Sequence, residues 1–557
     1  MINIRRGTAG VATVATLAIA LTACSSGGSA STNGSSASKG VSIDAAHSVG
    51  AMKDYTVGTD FKATEPVNFS LMYRDHPNYP VKNDWSILTH LKSDHNVSFT
   101  RTDIPLADFD AKKALLINSG DFPEIVSVTY PGQETQYVAS GALLPVSDYF
   151  QYMPNFEKKV KDWGIQAELD THKQADGKIY LLPGLRQYPD VQYSVAVNDD
   201  MWQKAGITSD PTTWDEFAQD LVKVKAANPG LKYGMSDRWN TNNNQPLGAF
   251  LQMLAPDWNT TAGWGYSDTR FDTKTGKFVI TGTSDNYKQL VTFVNGMVKS
   301  GALDPNITQT DDQAIQTFIN GQSAAISSNT QTINTDLVQK AQAAGKTLHT
   351  HLINLPGGPD GSNLQGTQLI SGLMISAKAK DDPHFKALLQ YIDWLYYSDA
   401  GEEFAQWGVQ GETFTKDSSG KRTLLPTVGW NSLNPDAPKK LNADFGYSNG
   451  VFMEANGSTT DLLQSVMDQP TVDWTNAQLK TKKILPPDPA AGLNQVQLQQ
   501  TQLQLTQIKD QVNTWTSEFI TGKKPLSDWD QYVSQINSLG GTQAADTYNQ
   551  AYAASKK

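Results

Sequence analysis

The sequence predicts an α/β protein of more than one domain, and three observations lead there. Between residues 67 and 128 strand-like and helix-like stretches alternate, the pattern of βαβ units around a mostly parallel sheet. The 557 residues exceed what one hydrophobic core organises, so roughly two to four domains are expected. Hydrophobic residues make up 39% and charged residues 18%, enough apolar material for real cores and too much for a disordered chain.

The elements follow in order. Val67-Asn68-Phe69-Ser70-Leu71-Met72-Tyr73 alternates like a strand. Residues 85–91 read as a helix, 97–100 as a second strand and 107–119 as a second helix. A third strand, 124–128, comes after the breaker Gly120-Asp121-Phe122-Pro123. Residues 178–182 and 193–197 read as short strands. Thr212-Thr213-Trp214-Asp215 opens a helix with a Thr cap and acids in the first turn, and Phe217, Leu221 and Val224 continue it. Residues 240–256 combine an Asn-rich loop with a short apolar helix. A helix over 285–300 is stopped by Gly301. Residues 367–376 read as a strand crossing between domains and 385–406 as one long amphipathic helical region. In the tail, Leu498, Leu505, Ile508, Val512, Trp515 and Phe519 share one helix face inside a Gln-rich stretch.

Residues 1–23 read as a signal peptide: Arg5 and Arg6, then an apolar run over 11–21 that falls short of the about 20 residues a spanning helix needs. The run ends in Leu21-Thr22-Ala23-Cys24, which resembles the bacterial lipoprotein cleavage box and would put a lipid on Cys24, the only cysteine. Residues 24–50 read as a tether, since 11 of the 16 residues from Ser25 to Gly40 are Ser or Gly. A lipid-anchored body at the outer face of a cell membrane, in a Gram-positive bacterium, is the expectation. One cysteine excludes a disulfide framework and a thiolate metal cluster. With 45 Lys and Arg against 56 Asp and Glu, the net charge of −11 argues against nucleic acid.

No catalytic pattern stands out. None of the eight histidines has a zinc-site spacing, and His349-Thr350-His351 reads as a solvated strand edge. Gly345-Lys346-Thr347 fails as a phosphate loop because Lys340 stands where the first glycine belongs. Gly446-Tyr447-Ser448-Asn449-Gly450 matches G-x-S-x-G, but Asn442-Ala443-Asp444-Phe445 before it is a poor buried strand. The adjacent acids, such as Asp199-Asp200, point different ways and make no acid/base pair as they stand. The expectation is a protein that is not an enzyme and holds no cofactor or metal.

Several segments, in order along the chain, resemble the large lipoprotein substrate-binding proteins of ABC importers for oligosaccharides. The resemblance is to the family 1 type, in the long subgroup with the alginate-oligosaccharide binders and LplA-like lipoproteins. They include Tyr73-Arg74-Asp75-His76-Pro77-Asn78-Tyr79-Pro80, Ser119-Gly120-Asp121-Phe122-Pro123-Glu124-Ile125-Val126 and Gly141-Ala142-Leu143-Leu144-Pro145-Val146-Ser147-Asp148-Tyr149. Later come Pro211-Thr212-Thr213-Trp214-Asp215-Glu216-Phe217, Gly301-Ala302-Leu303-Asp304-Pro305, Trp407-Gly408-Val409-Gln410-Gly411-Glu412 and Pro525-Leu526-Ser527-Asp528-Trp529-Asp530-Gln531-Tyr532. The resemblance implies a two-lobe periplasmic-binding-protein fold, type II-like, with crossing strands joining the lobes and a ligand cleft between them. It puts residues 51–193 plus 376–425 in the N-terminal lobe and 194–375 plus 426–557 in the C-terminal lobe, with crossings near 193–198, 372–376 and 424–427. It also implies capture of an oligosaccharide by a monomer that delivers it to ABC transporter permease subunits. A surface-anchored glycoside hydrolase or lyase and a peptide-binding lipoprotein are the alternatives. The calcium loop of some alginate binders is missing at Asn228-Pro229-Gly230-Leu231-Lys232-Tyr233-Gly234, which lacks the spaced carboxylates a hard cation requires.

A sugar stacks its C–H face on Trp or Tyr and bonds its hydroxyls to Asn, Asp, Arg or Gln. Thirteen Trp and 20 Tyr offer more aromatic surface than a minimal core needs. The expected contacts are Tyr73, Arg74 and Asp75 after the first strand, then Arg186, Trp239 and Asn240 with Asn242 to Asn244. Trp258, Trp264, Tyr266, Asn329 and Trp430 complete the set. Trp214, Trp394 and Trp515 recur at helical spacing and are assigned to core. Few cations stand in these loops, which predicts a mainly neutral sugar over a polyuronate.

Overall fold

The computed structural model describes residues 41–556 except 175, 190, 240–245, 431–432 and 454–457. The expected signal peptide, Cys24 and most of the tether lie outside the described residues, as do Asn240 and Asn242 to Asn244.

Two main sheets are built from β1 (Val67–Asp75), β2 (Val97–Pro105), β3 (Ile125–Thr129), β4 (Leu182–Leu185), β5 (Tyr193–Asn198), β6 (Ala325–Asn329), β7 (Thr350–Leu352) and β8 (Leu369–Ile375). The first has the order β2-β1-β3-β8-β4 and the second β6-β5-β7. β1 runs parallel to β2 and β3, as the βαβ reading predicts, with helices α1 (Ser86–His95) and α2 (Phe109–Ser119) as the crossovers. β8 runs antiparallel to both β3 and β4, and the second sheet is antiparallel throughout.

Each sheet has its own core. One gathers buried apolar side chains from Phe61 to Leu185 and from Leu369 to Leu462; the other gathers them from Val191 to Leu364 and from Leu505 to Ala544. The lobe boundaries therefore differ from expectation. Residues 369–375 form a central strand of the first sheet, and Leu424, Val428, Leu441, Tyr447 and Phe452 pack in the first core. The last crossing follows Leu462, since helix Gln469–Thr481 already bonds the second lobe through Trp474 Nε1, which donates to the Ile353 carbonyl at 3.0 Å. Gly372 makes the close strand pairing possible, because a β-carbon there would run into the Leu182 carbonyl.

Smaller differences have local causes. Residues 41–50, expected as tether, dock on the first lobe: Val41 N donates to Asp148 O (3.2 Å) and Val49 N to Pro383 O (2.9 Å). The strand expected at 178–182 starts only at Leu182, because Ile179 N bonds the Ser147 hydroxyl (3.0 Å) instead of a neighbouring strand. The long helical region at 385–406 is two helices. Ser398 is extended (ψ 146°) and its hydroxyl caps the second by accepting from Gly401 N at 3.0 Å. Helix α3 (Trp214–Ala227) opens on Thr213 as read, and α4 (Asp285–Ser300) stops at a left-handed Gly301. Trp214, Trp394 and Trp515 are all buried.

Candidate functional site

Four chain segments meet at one end of the first sheet. β1 and β3 end there, β4 leaves it toward the second lobe through Arg186, and β8 enters it from that lobe. The carboxyl ends of parallel strands are where α/β sheets open onto a cleft. Tyr73 is buried with its ring 5.9 Å from that of Phe452, and burial raises the pKa of its hydroxyl. Arg74 is half-buried and makes no hydrogen bond or ion pair among the described residues; a β-carbon at Gly450 would lie 3.7 Å from its guanidinium. Asp75 Oδ1 accepts from Val81 N (2.8 Å), which holds the turn whose His76 and Tyr79 rings stack at 4.3 Å. Arg186 is buried at the crossing, where its N–H donates to Gln368 O (2.8 Å) and its guanidinium lies 5.1 Å from the Tyr188 ring centre.

The second lobe brings three aromatic rings together. Tyr193, Trp239 and Trp264 lie with centroids 5.4 to 5.8 Å apart. Tyr193 starts β5, paired with Asn329 at the end of β6. Trp239 sits in the left-handed region at φ 63°, which a bulky residue adopts only when its surroundings impose it. Beneath it the Arg238 guanidinium stands 3.9 Å from the ring centre. Arg238 is fully buried and committed: Nε donates to Ser327 O (2.8 Å), Nη1 to Asp336 (2.8 Å) and Nη2 to Thr332 (2.7 Å). Trp264 lies flat against Gly248, where any β-carbon would collide with the indole, and its Nε1 is buried without a partner. Asn329 is less available than expected, because its Oδ1 accepts from Gln331 N (3.1 Å) and Thr332 N (2.7 Å) to close a turn.

Three predicted contacts fall elsewhere. Trp258 packs in the second core with its ring 4.9 Å from that of Phe293. Tyr266 turns inward toward Tyr287 (6.1 Å), and burial pushes its hydroxyl pKa well up. Trp430 belongs to the first lobe, paired with Leu433 at the core edge. Tyr193 fits the sequence pattern only as a strand residue; its place at the sheet end depends on pairing with β6, which no local signal reveals.

The paired histidines lie against carboxylates. His351 bridges Asp199 (2.6 Å) and Asp210 (2.9 Å), whose carboxylates raise it to about 9, while His349 meets Asp200 at 3.0 Å. No group of metal-ligating side chains fit to hold an ion occurs among the described residues. Ser448 is left-handed (φ 53°), but it follows helix Leu441–Phe445, not a strand, and its buried hydroxyl has no base beside it. A cavity of about 380 Å³ lined by Ser70, Glu124 and Lys378 and one of about 430 Å³ lined by Trp258, Lys288 and Phe293 do not include the three rings. No described helix is long and apolar enough to cross a membrane.

Comparison with known proteins follows this geometry. Residues 87–421 match the family described as bacterial extracellular solute-binding protein. A fructooligosaccharide ABC transporter substrate-binding protein, FusA of Streptococcus pneumoniae, is 27% identical over 274 residues, 46% of this chain and 49% of the relative. The chain thus spans about half the length of that relative. The polygalacturonan/rhamnogalacturonan-binding protein YtcQ of Bacillus subtilis is 22% identical over 502 residues, 86% of this chain and 93% of the relative. The calcium-free crystal structure of the alginate-binding protein AlgQ2 superposes with a TM-score of 0.65 at 18% identity, covering 90% of this chain and all of that one. That likeness shows the two-lobe fold.

Proposed function

Because the chain belongs to the bacterial extracellular solute-binding proteins, we propose that it captures an oligosaccharide between its lobes and delivers it to an ABC transporter permease. The observation that carries this reading is the cluster of Tyr193, Trp239 and Trp264 at the crossing end of the second sheet. Aromatic faces bind sugar C–H faces, and each stack is worth about 1 kcal/mol beyond area burial. Stacking surfaces and uncommitted donors, Arg74 and Trp264 Nε1 among them, support a binder rather than an enzyme. Membership of this family supports an extracellular or periplasmic location. A lipid on Cys24, behind a signal peptide and a Ser/Gly tether, would hold it at the membrane of a Gram-positive cell as a monomer.

A mainly neutral sugar is the ligand we favour. FusA, by name, takes fructooligosaccharides, whereas YtcQ and AlgQ2 take acidic polymers. A uronate chain needs several charged donors. Here Arg238 is spent on Asp336 and Arg101 on Asp103, which leaves Arg74 with its guanidinium uncommitted. Calorimetric titration of the mature protein with nystose, maltotetraose, galacto-oligosaccharides and trigalacturonate tests both steps. Micromolar binding of a neutral member, little changed up to about 0.5 M salt, is expected. Trp264→Ala should weaken it about tenfold. Binding of none of these glycans would overturn the reading, and steeply salt-dependent binding of trigalacturonate would overturn the neutral ligand.

A further inference from the structure

The aromatic cluster occupies one lobe, and a sugar held between two lobes has a second face. We propose that Tyr130 is the stacking surface of the first lobe, presented to the same oligosaccharide by a pre-set turn; this rests on the sugar-binding reading above.

Position is the first argument. β3 pairs with β1 through Leu71–Ile125 and Met72–Val126, so the residue after Thr129 leaves the sheet just past the level of Asp75. On its other side Thr129 pairs with Gly372 of β8, the strand that arrives from the second lobe. Tyr130 therefore emerges at the crossing end of the sheet, the end where Arg74 and Arg186 stand.

Conformation is the second. Val128 adopts φ 49°, a left-handed geometry that costs a β-branched residue more than any other kind. The ladder opposite it slips between Gly372 and Met374. Such irregularities re-aim the side chains that follow. Tyr130-Pro131-Gly132-Gln133 then forms a type II turn: Gln133 N donates to Tyr130 O at 3.0 Å, Pro131 holds the second position and Gly132 supplies φ 92° at the third.

Bracing is the third. Gln133 Oε1 accepts from Tyr130 N (3.2 Å) and from Lys113 Nζ (2.9 Å). Glu134 accepts from Gly132 N at 2.8 Å. Lys113 and Glu134 are 2% and 1% exposed, so two buried charged groups fasten a surface turn. Buried charges are costly unless bonded; Lys113 also pairs with Asp110 (2.9 Å) and Glu134 also accepts from Gln174 (3.1 Å), and each spends a further bond on the turn. What the turn displays is a tyrosine 51% exposed, whose ring meets no other aromatic and whose hydroxyl has no partner among the described residues. A turn held by these hydrogen bonds and carrying an unengaged aromatic ring suits a stacking surface, since less order remains to be lost on binding.

The test compares Tyr130→Ala and Tyr130→Phe with the wild type against the glycan from the same panel that binds the wild type. Tyr130→Ala should weaken binding about tenfold, mostly through a faster off-rate, because the ring engages once the lobes close. Tyr130→Phe should stay within about twofold, since the face and not the hydroxyl does the stacking. Melting temperature should hold in both, because the ring packs on no core. Wild-type affinity in Tyr130→Ala, with binding lost in Trp264→Ala, overturns this inference and leaves the sugar-binding reading standing. A wild type that binds no member of the panel overturns that reading and this inference with it.

Discussion

Replacing Arg238 tests the scaffold of the aromatic cluster most directly. Its guanidinium is 0% exposed, donates to Ser327 O, Asp336 and Thr332, and underlies Trp239 at 3.9 Å. Arg238→Met keeps much of the volume and removes the fork. Asp336 then loses its ion pair and two neutral acceptors lose their donor, which costs about 3–5 kcal/mol when one side of a buried pair is removed. For a lobe of this size that is a fall of roughly 6–20 °C in its melting transition. A pH signature should accompany it. Asp237 is wholly buried; burial raises it to about 6, opposed by bonds from Ser327 and by the charge of Arg238. Its folded pKa already lies above the unfolded value, so its ionised form destabilises the fold once pH rises past that range. Without Arg238 the folded pKa rises further, and the deficit should widen above about pH 6. Arg238→Lys, which keeps charge but not the planar fork, should fall between. Differential scanning calorimetry at pH 5.5 and 8, with glycan titration beside it, measures all of this. If Arg238→Met melted and bound like the wild type at both pH values, the claim that this side chain fixes Trp239 would fail.

Three further outcomes follow from the electrostatics. His351 is raised to about 9 by Asp199 and Asp210, so its contribution is fully present below about pH 6.5 and lost as pH climbs through 9. The side chain is 49% exposed, so the loss in His351→Ala should be about 1 kcal/mol or less in urea unfolding at pH 6 and vanish near pH 10. Lys159 bonds the buried Glu402 at 2.7 Å, and burial raises that carboxyl to about 7 despite the lysine. Lys159→Met should cost about 3–5 kcal/mol at pH 8 and less at pH 5.5, where Glu402 takes up a proton. EDTA should leave melting temperature and glycan affinity unchanged, because the described residues offer no group of metal ligands.

Much of the fold was legible because it rests on local periodicity. Phe217, Leu221 and Val224 fall on one helix face, and all three are buried. What escaped was partner choice. Leu369–Ile375 is almost wholly buried, so its sequence fits either lobe, and only its pairing with β3 and β4 decides. The site divided the same way. Trp258 and Trp264 stand six residues apart, yet one packs on Phe293 and the other on Gly248 beside Trp239. Nothing local marks Arg238 as scaffold, because its partners Ser327 and Asp336 lie 89 and 98 residues away. Tyr130 went unread for the opposite reason: a tyrosine before Pro-Gly looks like any exposed turn until the braces beneath it are seen.

The distribution of backbone strain joins these parts. Among the described residues other than glycine, left-handed backbone occurs at three asparagines, which tolerate it, and at Val128, Trp239, Leu247 and Ser448. Val128 stands two residues before Tyr130, where the turn begins. Trp239 is part of the aromatic cluster. Leu247 is the N-cap of the short helix Gly248–Leu254, whose first residue lies under the Trp264 indole. Ser448 stands two residues before Gly450, which approaches Arg74. These four positions come from separated stretches of chain and from both lobes. Strain of about 1–3 kcal/mol at a single residue persists only where surrounding structure over-determines it. Here the surroundings do: buried Arg238 under Trp239, buried Glu134 and Lys113 under the Tyr130 turn, and bare glycine against Trp264. Both lobes therefore hold these aromatic side chains in conformations that folding alone does not favour, which is what the proposed sugar site would need if its rings are to stand in place before a ligand arrives.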